Sequence, residues 1–169
     1  MPLSAEDFCA AGLSCSGPWP EPSGLADDSR KVRPGDLFFA LPGTQTDGLE
    51  HAPAAVQAGA CAVAVSSEAV LPPELAASGV PLLTSDSLRR SLALLAARQF
   101  PRQPETLVAV TGTNGKTSTA FLCAQLWEHG GRNAASMGTL GVLSKRYQVE
   151  GKLTTPGPLN LHSHLDALA

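Results

Sequence analysis

The sequence predicts an α/β protein: a small N-terminal α/β domain followed by the start of a second, phosphate-loop domain that is incomplete. Three observations predict it. Short apolar runs alternate with helical patterns from residue 50 to residue 100. A proline-rich break, Pro101-Arg102-Gln103-Pro104, interrupts that alternation. Beyond it, a glycine-rich turn stands between an apolar run and a helical pattern. Strand–helix–strand–helix order leads to layered units with largely parallel strands. The expected domains are residues 1–101 and 105–169.

Composition sets the limits. The chain has 169 residues, 43% hydrophobic and 16% charged, with a net charge of -3. That mixture supports a packed core and excludes wholesale disorder. The mild negative charge argues against a protein that grips nucleic acid electrostatically. No apolar run approaches the roughly 18 residues of a membrane span. The first seven residues are acidic and lack the basic-then-apolar order of a secretory signal, so a cytoplasmic protein is expected. Cys9, Cys15, Cys61 and Cys123 form no CxxC pair, which excludes the usual metal framework. Cys61 and Cys123 lie in apolar segments and read as small buried hydrophobes.

Taken in order, Ser4 with Asp7 resembles a capping box and predicts a helix over 5–11. The prolines and glycines of 16–24 form a loop. Strands are expected over 25–29 and 36–41, parted by Arg33-Pro34-Gly35-Asp36. A glycine-bracketed loop follows over 41–48. A helix over 51–58 closes at Gly59, and Cys61 to Val65 is a buried strand. A short helix over 71–77, a strand over 81–83 and a helix over 87–100 complete this half; Leu88, Leu92 and Leu95 share a core face. In the second half, Leu107 to Val110 reads as a strand and 116–129 as a helix ended by Gly130-Gly131. Strands over 133–137 and 140–143, a hairpin partner over 146–150 and a helix from Pro158 follow. Trp127 reads as core or interface packing. His162 and His164, two apart on a helix, face different sides and do not make a metal pair.

The strongest chemical signal is Thr111-Gly112-Thr113-Asn114-Gly115-Lys116-Thr117-Ser118. Its context, strand before and helix after, is the one a phosphate-binding loop requires. Glycines let several backbone N–H groups face one point, and the helix adds its positive end. Lys116 would reach the terminal phosphates, and the Thr117 hydroxyl would ligate Mg2+. The match to GxxxxGK[ST] is partial: Val110 holds the first glycine position, and Gly112 comes two residues later.

This loop resembles the ATP loop of the Mur ligases and folylpolyglutamate synthetases. Asp28-Ser29-Arg30 followed by Pro34-Gly35-Asp36-Leu37-Phe38-Phe39-Ala40 resembles the N-terminal domain of the MurE and MurF branches. Met137-Gly138-Thr139 and Thr154-Thr155-Pro156 resemble MurE elements. The first hundred residues do not support a folylpolyglutamate synthetase; the MurF branch is the nearer alternative, and a non-catalytic module binding a UDP-muramoyl peptide is another. The resemblance implies an ATP- and Mg2+-dependent ligase that adds the third amino acid, expected to be meso-diaminopimelate, to UDP-MurNAc-L-Ala-D-Glu. It implies ATP contacts at Gly112, Thr113, Asn114, Gly115, Lys116, Thr117 and Ser118, with Lys116 catalytic and Thr117 on the metal. It implies substrate contacts at Asp27 and Ser29 on the first strand, at Thr44, Gln45 and Thr46, and at Thr154 and Thr155.

Two positions depart from the pattern: Leu153 where relatives often carry Asn, and Gly157 where many carry an acid. The acids after Lys116 are Glu128, Glu150 and Asp166, and none follows a buried strand. A second Mg2+ ligand is therefore missing, as are the family's modified lysine and amine-binding domain. The expectation is an N-terminal piece of a ligase, inactive alone.

Overall fold

The computed structural model describes residues 3–43, 47–151 and 154–169. Thr44, Gln45, Thr46 and Leu153 lie outside the described residues. The chain forms two compact units, one ending at Gln99 and one starting at Phe100.

The first unit contains α1 (Ala5–Ala10), β1 (Ser14–Cys15), β2 (Gly24–Ala26), β3 (Asp36–Phe39), α2 (Ala52–Gln57), β4 (Ala62–Ser66), α3 (Pro73–Ala76), β5 (Leu82–Ser85) and α4 (Leu88–Gln99). Its sheet runs β1-β5-β4-β3-β2. The pairs β2–β3, β3–β4 and β4–β5 are parallel, while β1 is an antiparallel edge against β5. The mixed sheet agrees with the expected fold class; β1 was not foreseen, because two residues carry no periodicity.

Every residue of β3 is buried, as a strand covered on both faces requires. Phe38 and Ala40 pack with Ala52 and Ala55 of α2 and Leu75 of α3. Leu37 and Phe39 alternate with them, and α4 packs against β4 and β5 with Leu92 and Leu95 buried. α1 starts in the capping box read from the sequence: the Ser4 hydroxyl accepts from the Asp7 amide, and the Ser4 amide donates to the Asp7 carboxylate. Asp7 also receives Arg98 Nε of α4 at 2.7 Å, tying the two helices together.

Neither Asp27 nor Ser29 lies on the strand expected to carry them. β2 ends at Ala26, and Ser29–Lys31 form a 3-10 turn. Asp28 diverts the chain: its carboxylate accepts from the Arg30 amide at 3.1 Å and from the Arg30 guanidinium at 2.9 Å on each oxygen. This short-range bond competes with continued strand pairing.

The second unit contains α5 (Lys116–His129), β6 (Ala135–Gly138), β7 (Gly141–Ser144), β8 (Gln148–Glu150) and α6 (Pro158–Leu168). β6, β7 and β8 form an antiparallel sheet in that order. The expected strand over 107–110 is not formed. Leu107 and Val108 are 63% and 75% exposed, and no described strand pairs with them. A strand without a neighbour leaves its backbone groups to water. α5 likewise buries no residue; Leu122, Leu126 and Trp127 are exposed, and so is Cys123, contrary to the reading of it as buried. Cys61 is only partly buried and donates to the Gly35 carbonyl. No helix among the described residues is long and apolar enough to cross a membrane.

Candidate functional site

In the first unit, parallel pairing of β2 to β5 sets their carboxyl ends along one edge, the place where open α/β sheets bind ligands. Asp27 follows β2 there. Burial pushes its carboxyl above the usual range, opposed by its own backbone hydrogen bond and by Lys31 and Arg89. Arg89, in the first turn of α4, also donates Nη2 to the Pro42 carbonyl at 2.9 Å. The neck of the 41–48 loop is held by the Gly48 amide on the Leu41 carbonyl at 3.0 Å and by a bridge between Pro42 and Asp47. Sequence reasoning missed Arg89; its partner lies 47 residues away, beyond any local pattern.

The sign of the Asp27 shift makes a prediction. A folded-state carboxyl above its ordinary value binds protons more readily than the unfolded one, so stability falls as pH rises through that window. At pH 7 the full cost of burying the charge is present. Asp27→Asn is expected to raise the urea midpoint of the first unit at pH 7, with the gain shrinking as pH falls toward 4. An unchanged gain across that range contradicts the reading.

In the second unit, the glycine-rich loop runs directly into α5. Gly112 and Gly115 have φ of 146° and 76°, values that side-chain-bearing residues rarely adopt. Gly115 is the N-cap of α5 and offers no side-chain cap, so the amides of the first turn are open to an anion. Lys116 curls back over the loop: its Nζ donates to the Gly112 carbonyl at 2.6 Å and to the Thr113 carbonyl at 3.4 Å. Thr113, Asn114, Gly115, Lys116, Thr117 and Ser118 line a cavity of about 240 Å³ together with Thr139 and Thr154. Thr155, the next residue, is exposed and outside that lining.

The cavity suits phosphate groups: it offers amides, hydroxyls and one ammonium, and no carboxylate. It does not complete a Mg2+ site. Thr117 supplies a single oxygen, whereas Mg2+ favours at least one carboxylate. Among the described residues, Asp166 is held by Arg102 at 2.8 Å, Glu128 faces Lys145 at 3.7 Å and Glu150 lies on β8; no cluster of His, Cys, Asp or Glu could hold a metal.

A glycine-rich loop opening a helix, preceded in the sequence by an α/β unit with a bracketed loop, defines a class. The pattern of the Mur ligase family, catalytic domain, matches residues 22–100, and that of the Mur ligase middle domain matches residues 110–169. The chain belongs to the Mur ligase family. Within it, the chain is 51% identical over 149 residues to the UDP-N-acetylmuramoyl-L-alanyl-D-glutamate–2,6-diaminopimelate ligase of Bradyrhizobium diazoefficiens, covering 88% of this chain and 30% of that protein. The ligase of the same name from Mesorhizobium japonicum is 49% identical over 152 residues, again covering 88% and 30%. A solved structure of a 2,6-diaminopimelate ligase of this name superposes with a TM-score of 0.75 at 29% identity, over 100% of this chain and 34% of that one. The chain thus spans about 30% of the length of the curated relatives it matches.

Proposed function

We propose that the chain is the UDP-substrate-binding domain and the ATP loop of a ligase that joins meso-diaminopimelate to UDP-MurNAc-L-Ala-D-Glu in the cytoplasm. The observation that carries this reading is the cavity in which Lys116 and the first turn of α5 meet Thr154, within a chain half identical to ligases of that name. The carboxyl edge of the first sheet, with Asp27, Ser29 and the loop that includes Thr44, Gln45 and Thr46, takes the uridine diphosphate end.

ATP is a substrate. Its terminal phosphoryl lies on Gly112 to Ser118, and an oxygen of the dipeptide's terminal carboxylate attacks it, expelling ADP. The resulting acyl phosphate is attacked by the amine nitrogen. The tetrahedral intermediate then releases phosphate, which keeps one oxygen of the original carboxylate. Lys116 and the loop amides hold the phosphoryl in line and offset its charge. Mg2+ would neutralise the same group, with Thr117 as one ligand.

Incubating the native-length gene product with UDP-MurNAc-L-Ala-D-Glu, ATP, Mg2+ and meso-diaminopimelate is expected to give a product heavier by one diaminopimelate residue. The isolated 169 residues are expected to give none. ATP hydrolysis by the native-length protein without the muramoyl substrate, and no amide product with it, overturns the proposal.

A further inference from the structure

We propose that Arg89 is a positioning residue for the uridine diphosphate end of the substrate: from the first turn of α4 it holds the entry of the 41–48 loop at the carboxyl edge of the first sheet, and it acts through the loop rather than by touching the substrate. Its Nη2 donates to the carbonyl of Pro42, just beyond β3, at 2.9 Å. The base of this arm is firmly seated. Leu88 and Leu92 of the same helix are buried, and the buried Ser91 hydroxyl lies 2.8 Å from that of Ser85 at the end of β5. The charge of Arg89 also acts on the Asp27 carboxyl, with that of Lys31, against the effect of burial. One side chain thus serves both parts of the edge assigned above to the uridine diphosphate, Asp27 and the loop.

The neck of the loop moves as one piece. At its entry the Leu41 amide donates to the Phe39 carbonyl at 2.9 Å. At its exit the Asp47 carboxylate accepts from the Leu49 amide at 3.0 Å and starts the 3-10 turn Gly48–His51. The Gly48 amide closes the two ends on the Leu41 carbonyl. A Cβ on Gly48 would lie 2.5 Å from the Leu41 carbonyl oxygen and 2.7 Å from the Leu41 amide nitrogen. These are backbone atoms, which cannot swing aside as the end of a side chain does. Entry and exit are therefore in direct backbone contact, and a shift of Pro42 carries both. Arg89 and Pro42 meet water, so their bond adds little to the stability of the unit. Its effect is on position: it sets where the chain leaves the sheet toward Thr44, Gln45 and Thr46.

The inference rests on the reading of the first unit as the substrate-binding domain, and its test separates the two. Binding of UDP and of a non-hydrolysable ATP analogue is measured by calorimetry on the native-length gene product, together with the urea midpoint. Arg89→Met is expected to weaken UDP about fivefold, the scale of one hydrogen bond. The ATP analogue, the midpoint and the salt dependence of UDP binding are expected to stay as in wild type. Arg89→Lys is expected to recover most of the loss, since a single carbonyl can also accept from an ammonium. Gly48→Ala, which spreads the same neck, is expected to weaken UDP at least as much, and adding Arg89→Met to it to cost less than a further twofold. Unchanged UDP affinity in Arg89→Met, equal loss for both nucleotides with a lowered midpoint, or losses that multiply in the double variant overturns the role of Arg89. So does a shallower salt dependence, which marks a direct contact with the diphosphate. A wild-type protein that binds the ATP analogue and not UDP overturns the substrate-domain reading, and this inference with it.

Discussion

Lys116→Met in the native-length gene product is expected to lower the rate of ligation by about 10²- to 10³-fold, the scale on which a single preorganised donor to a developing charge acts. Lys116 is the first residue of α5, and its ammonium already sits inside the curve of the loop, on the carbonyls of Gly112 and Thr113. An arriving phosphoryl oxygen meets a cation whose position costs little further ordering. Methionine keeps most of the length of the side chain and removes the charge. Lys116→Arg is not expected to restore the rate, because a planar guanidinium cannot take the place of a compact ammonium. The checks are kcat and the urea midpoint together. A rate lost with the midpoint unchanged is the expected pattern; a rate within threefold of wild type removes Lys116 from the reaction.

Phe38→Ala is expected to destabilise the first unit by about 3–5 kcal/mol, as large-to-small changes of buried aromatics do. Phe38 is 1% exposed in the middle of β3, paired with Ala26 on one side and Val63 on the other, and packed with Ala52, Ala55 and Leu75. A domain commonly holds only about 5–15 kcal/mol in all. The variant should therefore lose a large part of its urea midpoint or fail to fold. The effect extends to the 41–48 loop, since β3 delivers the chain into it. Phe38→Leu, which keeps most of the volume, is expected to retain most of the stability. A midpoint for Phe38→Ala equal to wild type would mean that this side of the sheet is not a packed core.

Much of the fold was legible in the sequence because its signals are local. The Ser4–Asp7 capping box, the Leu88, Leu92 and Leu95 face, and the helix from Lys116 to His129 each lie within a few turns of chain. What escaped depends on distant neighbours. Leu107 to Val110 has a strand's composition but no described partner strand, so composition alone did not make it one. Cys123 and Trp127 read as packed, yet both are exposed and no residue of α5 is buried among the described residues. Ser29 left the strand because Asp28 and Arg30 close a turn that competes with the ladder. At the candidate site, the glycines and Lys116 announced the loop. Arg89 did not announce itself, since it acquires its meaning from a residue 47 positions away.

The most direct test of the account follows the oxygen. UDP-MurNAc-L-Ala-D-Glu labelled with 18O in its terminal carboxylate is supplied to the native-length gene product with ATP, Mg2+ and meso-diaminopimelate, and the released phosphate is weighed by mass spectrometry. Attack of the carboxylate on ATP predicts one 18O in each phosphate formed, in step with the tripeptide product. Unlabelled phosphate would mean that water, and not the muramoyl dipeptide, receives the phosphoryl group, and the ligase reading would fall.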